Sequence, residues 1–318
     1  MPALFLSEDD VRELMDMETS IEVVEQAFRH LADETAANVP RVRAVAPGIV
    51  LHNMTASADY LGLVGWKAYT TTKSNARFHV AVYDSSSGAM RALIEADYLG
   101  QLRTGAASGV ATQYMARPDS KVVGIFGSGK QARTQLKAVC TVRRIEHVAV
   151  YSPNAERREK FAEEMSEYCA TKVVPVHNPE EAAAEKDIVI TASGSKTPVF
   201  DGRVLDEGTH LNVIGSNWMQ KAEIDSTTVQ RADHIVCDSI EACRSEAGDF
   251  RGPIQDGITD WRLMRELSDV VTGRKTGRAV PEDVTLFKSV GLAIEDVAMA
   301  AKIIDLAQEN GLGEDLPF

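Results

Sequence analysis

Apolar and polar positions follow two different rhythms along the chain. From residue 121 onward, short apolar runs give way repeatedly to helical spacing. Residues 122–126, Val-Val-Gly-Ile-Phe, read as a buried parallel strand, and Ala132, Leu136, Val139 and Cys140 then recur at the three-to-four spacing of a helix. Residues 146–152, 171–176, 187–193, 210–215 and 234–238 read as further strands of the same sheet. Residues 241–257 are polar and read as a loop. Residues 284–291 read as a last strand and turn. They lead into a long helix with Ile294, Val297, Ala298, Ala301, Ile304 and Leu306. The expected class for this part is α/β with a parallel sheet.

The first 120 residues are patterned differently. Ser7 caps a first helix whose opening acids, Glu8, Asp9 and Asp10, suit the positive end of its dipole. Thr19 and Glu22 have capping-box spacing for a second helix, with Ile21, Val24, Phe28 and Leu31 on one face. Residues 41–83 are strand-rich, with β-branched and apolar runs at 45–54, 61–70 and 79–83. Arg41 follows Pro40 at a strand entrance, and Lys67 lies inside the strand-like run 64–69. Composition alone would send such a lysine to solvent. Residues 99–109 open a helix crowded with small residues that runs to Met115. Arg103 and Thr104 near its start could hold an anion. Pro118-Asp119 then marks a boundary.

The strand at 122–126 ends in Gly127-Ser128-Gly129-Lys130-Gln131-Ala132. Strand, Gly-x-Gly-x-x-Ala turn and helix in that order form the dinucleotide-binding fingerprint. Gly127 permits the sharp turn, Gly129 leaves bare backbone for a pyrophosphate, and Ala132 lets the helix sit close to the strand. The helix N-terminus then offers free N–H groups to phosphate. Ligands of such sheets bind beyond the carboxyl ends of the strands, which brings in Ser152, Ala192, Ser193 and Gly215-Ser216-Asn217.

Composition narrows the partners. The net charge of −13 over 318 residues, with no basic stripe, argues against nucleic acid and anionic membranes. No apolar run approaches the ~18 residues of a membrane span, and the opening residues 1–6 run into acids without a cleavage site. Cys140, Cys169, Cys237 and Cys243 have neither CxxC spacing nor nearby histidine clusters. They read as reduced thiols in a cytoplasmic protein, with no metal site.

The choice of nucleotide rests on the end of the second parallel strand. An NAD reader places an acid there for the ribose hydroxyls. This chain has Tyr151-Ser152-Pro153-Asn154, followed by Arg157, Arg158 and Lys160. That favours a 2′-phosphate, hence NADP slightly over NAD, although the same cations would serve as a solvated helix face. His147, His177, His210 and His234 read as turn residues near strand starts. Met15 and Met299 read as core. Trp218 either walls a pocket or packs at a domain seam.

Several stretches together resemble the ornithine cyclodeaminase/mu-crystallin family over nearly the full length. They are Arg41, Met54, Lys67, the run Arg103-Thr104-Gly105-Ala106-Ala107-Ser108 and the Gly127 turn. Gly215-Ser216-Asn217 with residues 221–225, and residues 286–291, complete the set. The resemblance implies a homodimer. In it a Rossmann dinucleotide-binding domain, residues 118–289, is inserted into a mixed α+β dimerisation and substrate domain formed by residues 1–117 plus 290–318. It implies small amino acids, 2-oxo acids or cyclic imines as substrates. Arg41 and Arg103 match positions that hold the substrate carboxylate, Lys67 stands beside the reacting carbon, and Met54 belongs to the same substrate side, which Trp218 joins if it walls the pocket rather than packing at the seam. Thr104, Gly127, Ser128, Gly129, Gln131, Ala132, Ser152, Ala192, Ser193, Lys221, Ser289 and Gly291 match the cofactor's surroundings.

Cyclodeaminases place an aspartate where this chain has Asn217, and a glutamate where it has His52. An amide cannot transfer the proton that aspartate is assigned, though it can orient a ligand. The expected activity is therefore NAD(P)H-dependent reduction of a small imine or 2-oxo acid to an L-amino acid. The alternatives are ornithine cyclodeamination, an alanine dehydrogenase-like oxidation, and a non-enzymatic NADP-binding protein like mu-crystallin.

Overall fold

A computed structural model describes residues 2–317. The chain begins with β1 (Leu4–Leu6), α1 (Glu8–Leu14), α2 (Met17–Ala32), β2 (Ala36–Ala46) and β3 (Ile49–Ala58). Next come β4 (Leu63–Thr72), β5 (Ala76–Asp84), β6 (Met90–Glu95) and α3 (Asp97–Met115). Strand and helix then alternate through β7 (Val122–Phe126), α4 (Lys130–Val142), β8 (His147–Tyr151), α5 (Ala155–Tyr168) and β9 (Lys172–Pro175), and β10 (Ile188–Thr191) and β11 (His210–Val213) follow with only short turns of helix between them. Beyond these lie α6 (Ser226–Arg231), β12 (His234–Cys237), α7 (Ile240–Glu246), α8 (Arg251–Gln255), β13 (Arg265–Glu266), α9 (Leu267–Val271) and β14 (Thr285–Lys288). The chain closes with α10 (Ala293–Asn310) and β15 (Glu314–Asp315).

Two compact units result, Met1–Arg103 with Gly291–Phe318, and Thr104–Val290. The first division falls inside α3, upstream of the Pro118-Asp119 signal. In the first unit the strand order is β15-β1-β6-β5-β4-β3-β2, with β2 to β6 antiparallel neighbours and β1 parallel to β6. Along β3, His52, Met54, Ala56 and Ala58 are buried while Asn53 and Thr55 are exposed, the alternation of a sheet covered on one face. The cover is α10, which packs on β3, β4 and β5. At Gly65 of β4 a β-carbon would stand 2.9 Å from the Val297 side chain, so the helix lies close against the strand.

The second unit is a parallel sheet in the order β13-β12-β14-β11-β10-β7-β8-β9. The order reverses at β7, whose neighbours are β8 on one side and β10 on the other. This is the Rossmann arrangement, and the reversal marks where its ligands lie. Val123, Ile125, Leu136, Val139, Val150, Phe161 and Ile190 form much of the core around β7.

Several local readings need correction. Asp16, not Thr19, caps α2: its carboxylate accepts from the Thr19 N–H at 2.8 Å, which makes Thr19 the third helical residue. Residues 241–257 are not a loop. Ser239 caps α7 through the Ala242 N–H, and α8 follows. Arg41 lies within β2, at an irregularity of its register between Val39 and Val42, rather than at the strand entrance. His147, His210 and His234 are not turn residues but the first residues of β8, β11 and β12, and His210 is buried there with Nδ1 2.9 Å from Thr285 Oγ1.

Candidate functional site

The chemistry in the first unit gathers on the sheet face beneath α10. Lys67 stands opposite Met54 in the β3–β4 register, and both are buried. The Lys67 ammonium donates to Asp296 Oδ1 at 2.7 Å. Arg103, on α3, donates from Nη1 to Glu295 Oε2 at 2.9 Å, and its Nε lies 3.3 Å from Asp296 Oδ1. Glu295 and Asp296 occupy the first turn of α10, where the helix dipole favours acids. That turn is capped from outside, Asn38 Oδ1 accepting from the N–H groups of Ala293 and Ile294.

Burial pushes the Lys67 ammonium down to about 8. Asp296 opposes that shift, while Arg103 and Arg41 add to it. For Arg103, burial works against the charge, but Asp296 and Glu295 outweigh it and hold the guanidinium above its ordinary range. Gly291 packs on this group. A β-carbon there would come within 2.5 Å of Arg103 Nη1, at a left-handed φ of +86°.

Beside the cations runs an aromatic strip. His52 stacks on Tyr69 with centroids 4.1 Å apart, and Tyr69 on Phe78 at 4.9 Å. The Lys67 ammonium is 5.7 Å from the Phe78 centroid, and the Arg41 guanidinium 6.0 Å from that of Tyr69. Burial, helped by Arg43 and Arg41, pushes His52 down to about 4. Its Nδ1 accepts from Arg43 Nε at 3.2 Å, which leaves the proton on Nε2, 3.0 Å from Thr71 Oγ1. A neutral imidazole engaged at both nitrogens does not replace a carboxylate base.

In the second unit, Gly127 has φ +120°, and a β-carbon on it would lie 2.3 Å from the Ala192 carbonyl oxygen. Only glycine suits this turn. Helix α4 begins behind Gly129 with no side-chain cap, and a β-carbon on Gly129 would meet nothing within 4 Å. Gln131 presents a buried Oε1 with no partner among the described residues. Uncapped N–H groups facing open space, with bare backbone beside them, fit a pyrophosphate.

Other sequence-marked residues surround this turn or lie in the same unit. Ser128 Oγ and Ser152 Oγ are 3.0 Å apart, and the Thr104 carbonyl accepts from Gln135 Nε2 at 2.8 Å. Ala132 is buried against the strand core. Ser193 bonds Glu223, and Ser289 Oγ donates to Asp238 at 2.8 Å. Asn217, Trp218 and Lys221 lie on the loop after β11, where the Lys221 N–H donates to the Trp218 carbonyl at 3.0 Å. Of the cations beyond β8, Arg157 and Lys160 are exposed. Arg158 is buried, donating to the Ser152 carbonyl at 2.6 Å.

A family profile matches residues 1–311 of the chain. The chain belongs to the ornithine cyclodeaminase/mu-crystallin family. Within that family it is 33% identical to the Delta(1)-pyrroline-2-carboxylate reductase of Bacillus cereus, over 99% of this chain and 100% of the other. It is 31% identical to the alanine dehydrogenase of Archaeoglobus fulgidus, over 100% and 99% of the two chains. The structure of Thermococcus litoralis Delta(1)-pyrroline-2-carboxylate reductase, in complex with NADH and L-proline, superposes with a TM-score of 0.95. It is 38% identical, covering 98% of this chain and 100% of that one.

Glu295 and Asp296 escaped the reading of the sequence. The signal was there: two adjacent acids stand inside an otherwise apolar helical run. Glu223, which bonds Ser193, lies within the 221–225 stretch that carries the resemblance, with nothing in its spacing to mark it out.

Proposed function

We propose that the protein is an NAD(P)H-dependent reductase of a small imine or 2-oxo acid, with cyclic ketimine carboxylates foremost, giving an L-amino acid. The observation that carries this reading is the buried Lys67 ammonium, depressed to about 8 and held by Asp296 next to Arg103. A group titrating near neutrality suits proton delivery to an imine nitrogen or a carbonyl oxygen. The nicotinamide, when bound, supplies the hydride.

In this reading Arg41 and Arg103 grip the substrate carboxylate through charge-assisted bonds. Lys67 donates the proton, and Asp296 holds its ammonium in place as it does so. Met54, with Trp218, borders the substrate, and Asn217 orients it. The Gly127 turn, with Ser128, Gly129, Gln131 and Ala132, would hold the pyrophosphate. Thr104, Ser152, Ala192, Ser193, Lys221, Ser289 and Gly291 complete the cofactor's surroundings. The relatives that act on pyrroline-2-carboxylate or alanine support this substrate class.

Asn217 and the neutral His52 weigh against ornithine cyclodeamination, since both stand where that reaction carries carboxylates. For the dinucleotide, the missing acid after β8 and the exposed Arg157 and Lys160 support NADPH over NADH, without help from Arg158. A homodimer belongs to the same proposal. Val39, Val42, Ile49, Leu51 and Val64 expose apolar surface on the sheet face opposite Lys67, and a second copy would cover it. The free thiols suit a cytoplasmic setting.

The test is oxidation of NADPH and of NADH with pyrroline-2-carboxylate, piperideine-2-carboxylate, or pyruvate with ammonia or methylamine. Turnover on a carboxylate imine is expected. Dinucleotide binding without turnover on any of these would sink the reading.

A further inference from the structure

Glu223 lies beyond β11 and is fully buried. Its carboxylate receives four hydrogen bonds. Oε1 accepts from the Ser193 N–H and the Ser193 hydroxyl, both at 2.7 Å. Oε2 accepts from the Gly215 N–H at 2.7 Å and the Thr191 hydroxyl at 3.0 Å. Ser193 follows β10 and Gly215 follows β11, so one carboxylate ties together the carboxyl ends of two adjacent parallel strands. It sits against bare backbone, for a β-carbon on Gly215 would stand 2.4 Å from Oε1.

The tie reaches the glycine turn in one more step. Ala192, next to Ser193, presents its carbonyl oxygen to Gly127 at a distance no β-carbon would allow. On the other side, the Glu223 N–H donates to Asp249 Oδ1 at 2.6 Å, and Asp249 pairs with the buried Lys288 at 2.7 Å. Lys288 also donates to the Ser216 carbonyl at 2.9 Å. The loop after β11 is therefore held twice, at Gly215 by Glu223 and at Ser216 by Lys288.

We infer that Glu223 is a positioning residue for the dinucleotide, fixing the loops after β10 and β11 at the spacing the cofactor requires beside the Gly127 turn. The inference rests on the reading that the dinucleotide occupies the carboxyl edge of this sheet. Glutamine cannot replace it. Each carboxylate oxygen takes one backbone N–H, and a backbone N–H cannot turn away. An amide offers one acceptor and one NH₂ group, so one of the two strand ends must come loose.

The experiment compares the parent with Glu223→Gln by NADH and NADPH fluorescence titration, alongside thermal melts without nucleotide. Loss of one such bond is expected to raise the dissociation constant of the preferred dinucleotide about tenfold in a variant that still melts cooperatively. A merely structural glutamate would lower the melting temperature and leave that constant alone, and such a result overturns the inference. If Glu223→Gln does not fold, Thr191→Val removes one donor to Oε2 and keeps both backbone bonds. A rise of about threefold is then expected, and an unchanged constant overturns the inference. A parent protein that binds neither dinucleotide would remove the underlying reading, and the inference with it.

Discussion

The Lys67 ammonium and the Asp296 carboxylate meet at 2.7 Å, both inside the protein and 229 positions apart in sequence. Removing one partner of a buried pair leaves the other uncompensated, at a cost of about 3–5 kcal/mol. Asp296→Asn should therefore lower stability by up to about that amount in urea denaturation. It should also move the Lys67 titration below about 8, because Asp296 is what holds it up. An alkaline limb that stays in place would show that Asp296 does not govern the proton on Lys67.

Lys67→Met keeps the stem and removes the proton. Reductive turnover should drop by about 10²- to 10⁴-fold, the usual span for a general acid. Dinucleotide affinity, read by fluorescence, should hold. Residual turnover above a tenth of the parent's would assign the proton to another group.

The alkaline profile has a definite sign. In the proposed reaction Lys67 supplies the proton, so kcat/KM should be level below about pH 8 and fall above it. Oxidation of the amino acid should rise through the same range. Stability moves the other way from the reductive rate. Because the folded pKa is lowered from 10.5 to about 8, the unfolded chain holds more protons between those values. The penalty for burying the charge is thus present at neutral pH and relieved as pH climbs through that window.

Arg103→Lys retains a charge and loses the fork that spans Glu295 and Asp296. The KM for carboxylate substrates should rise by about 10- to 100-fold, from loss of a charge-assisted bidentate contact. Steady-state kinetics at saturating dinucleotide would show it. An unchanged KM would place the carboxylate elsewhere.

His210 makes an acid-side prediction. Burial holds it down to about 3 from 6.5. The unfolded state takes up a proton first, so its stabilising contribution is present above 6.5 and is lost as pH falls toward 3. Between pH 7 and pH 5 the loss is about 2 kcal/mol. Urea denaturation of the parent and His210→Gln at both pH values isolates the difference. Equal pH dependence in the two proteins would refute it.

What was legible in the sequence was what local spacing controls. The β7 strand, its turn and α4 are adjacent in sequence and stand as read. The parallel strands that follow fall within a residue or two of their expected bounds. Ser7 caps α1 as its spacing predicts, through a capping box with Asp10. Failures came where composition misled or where distant groups decide. Residues 241–257 carry a polar composition that hid two short helices whose caps and packing are supplied locally by Ser239 and by the buried Phe250. Glu295 and Asp296 belong by type to solvent, and only the cations of β4 and α3 explain their burial. Likewise, His210 becomes a core residue because Thr285 of a neighbouring strand receives it.

The counterions of α10 also impose a timetable. After Arg103 leaves the ribosome, Glu295 arrives only as the 192nd further residue. Until then the nascent first unit carries its inward-facing cations unbalanced and cannot close over them. The second unit, contiguous in the chain, is free to mature first, so vectorial synthesis would complete the glycine-turn sheet before Lys67 finds its seat.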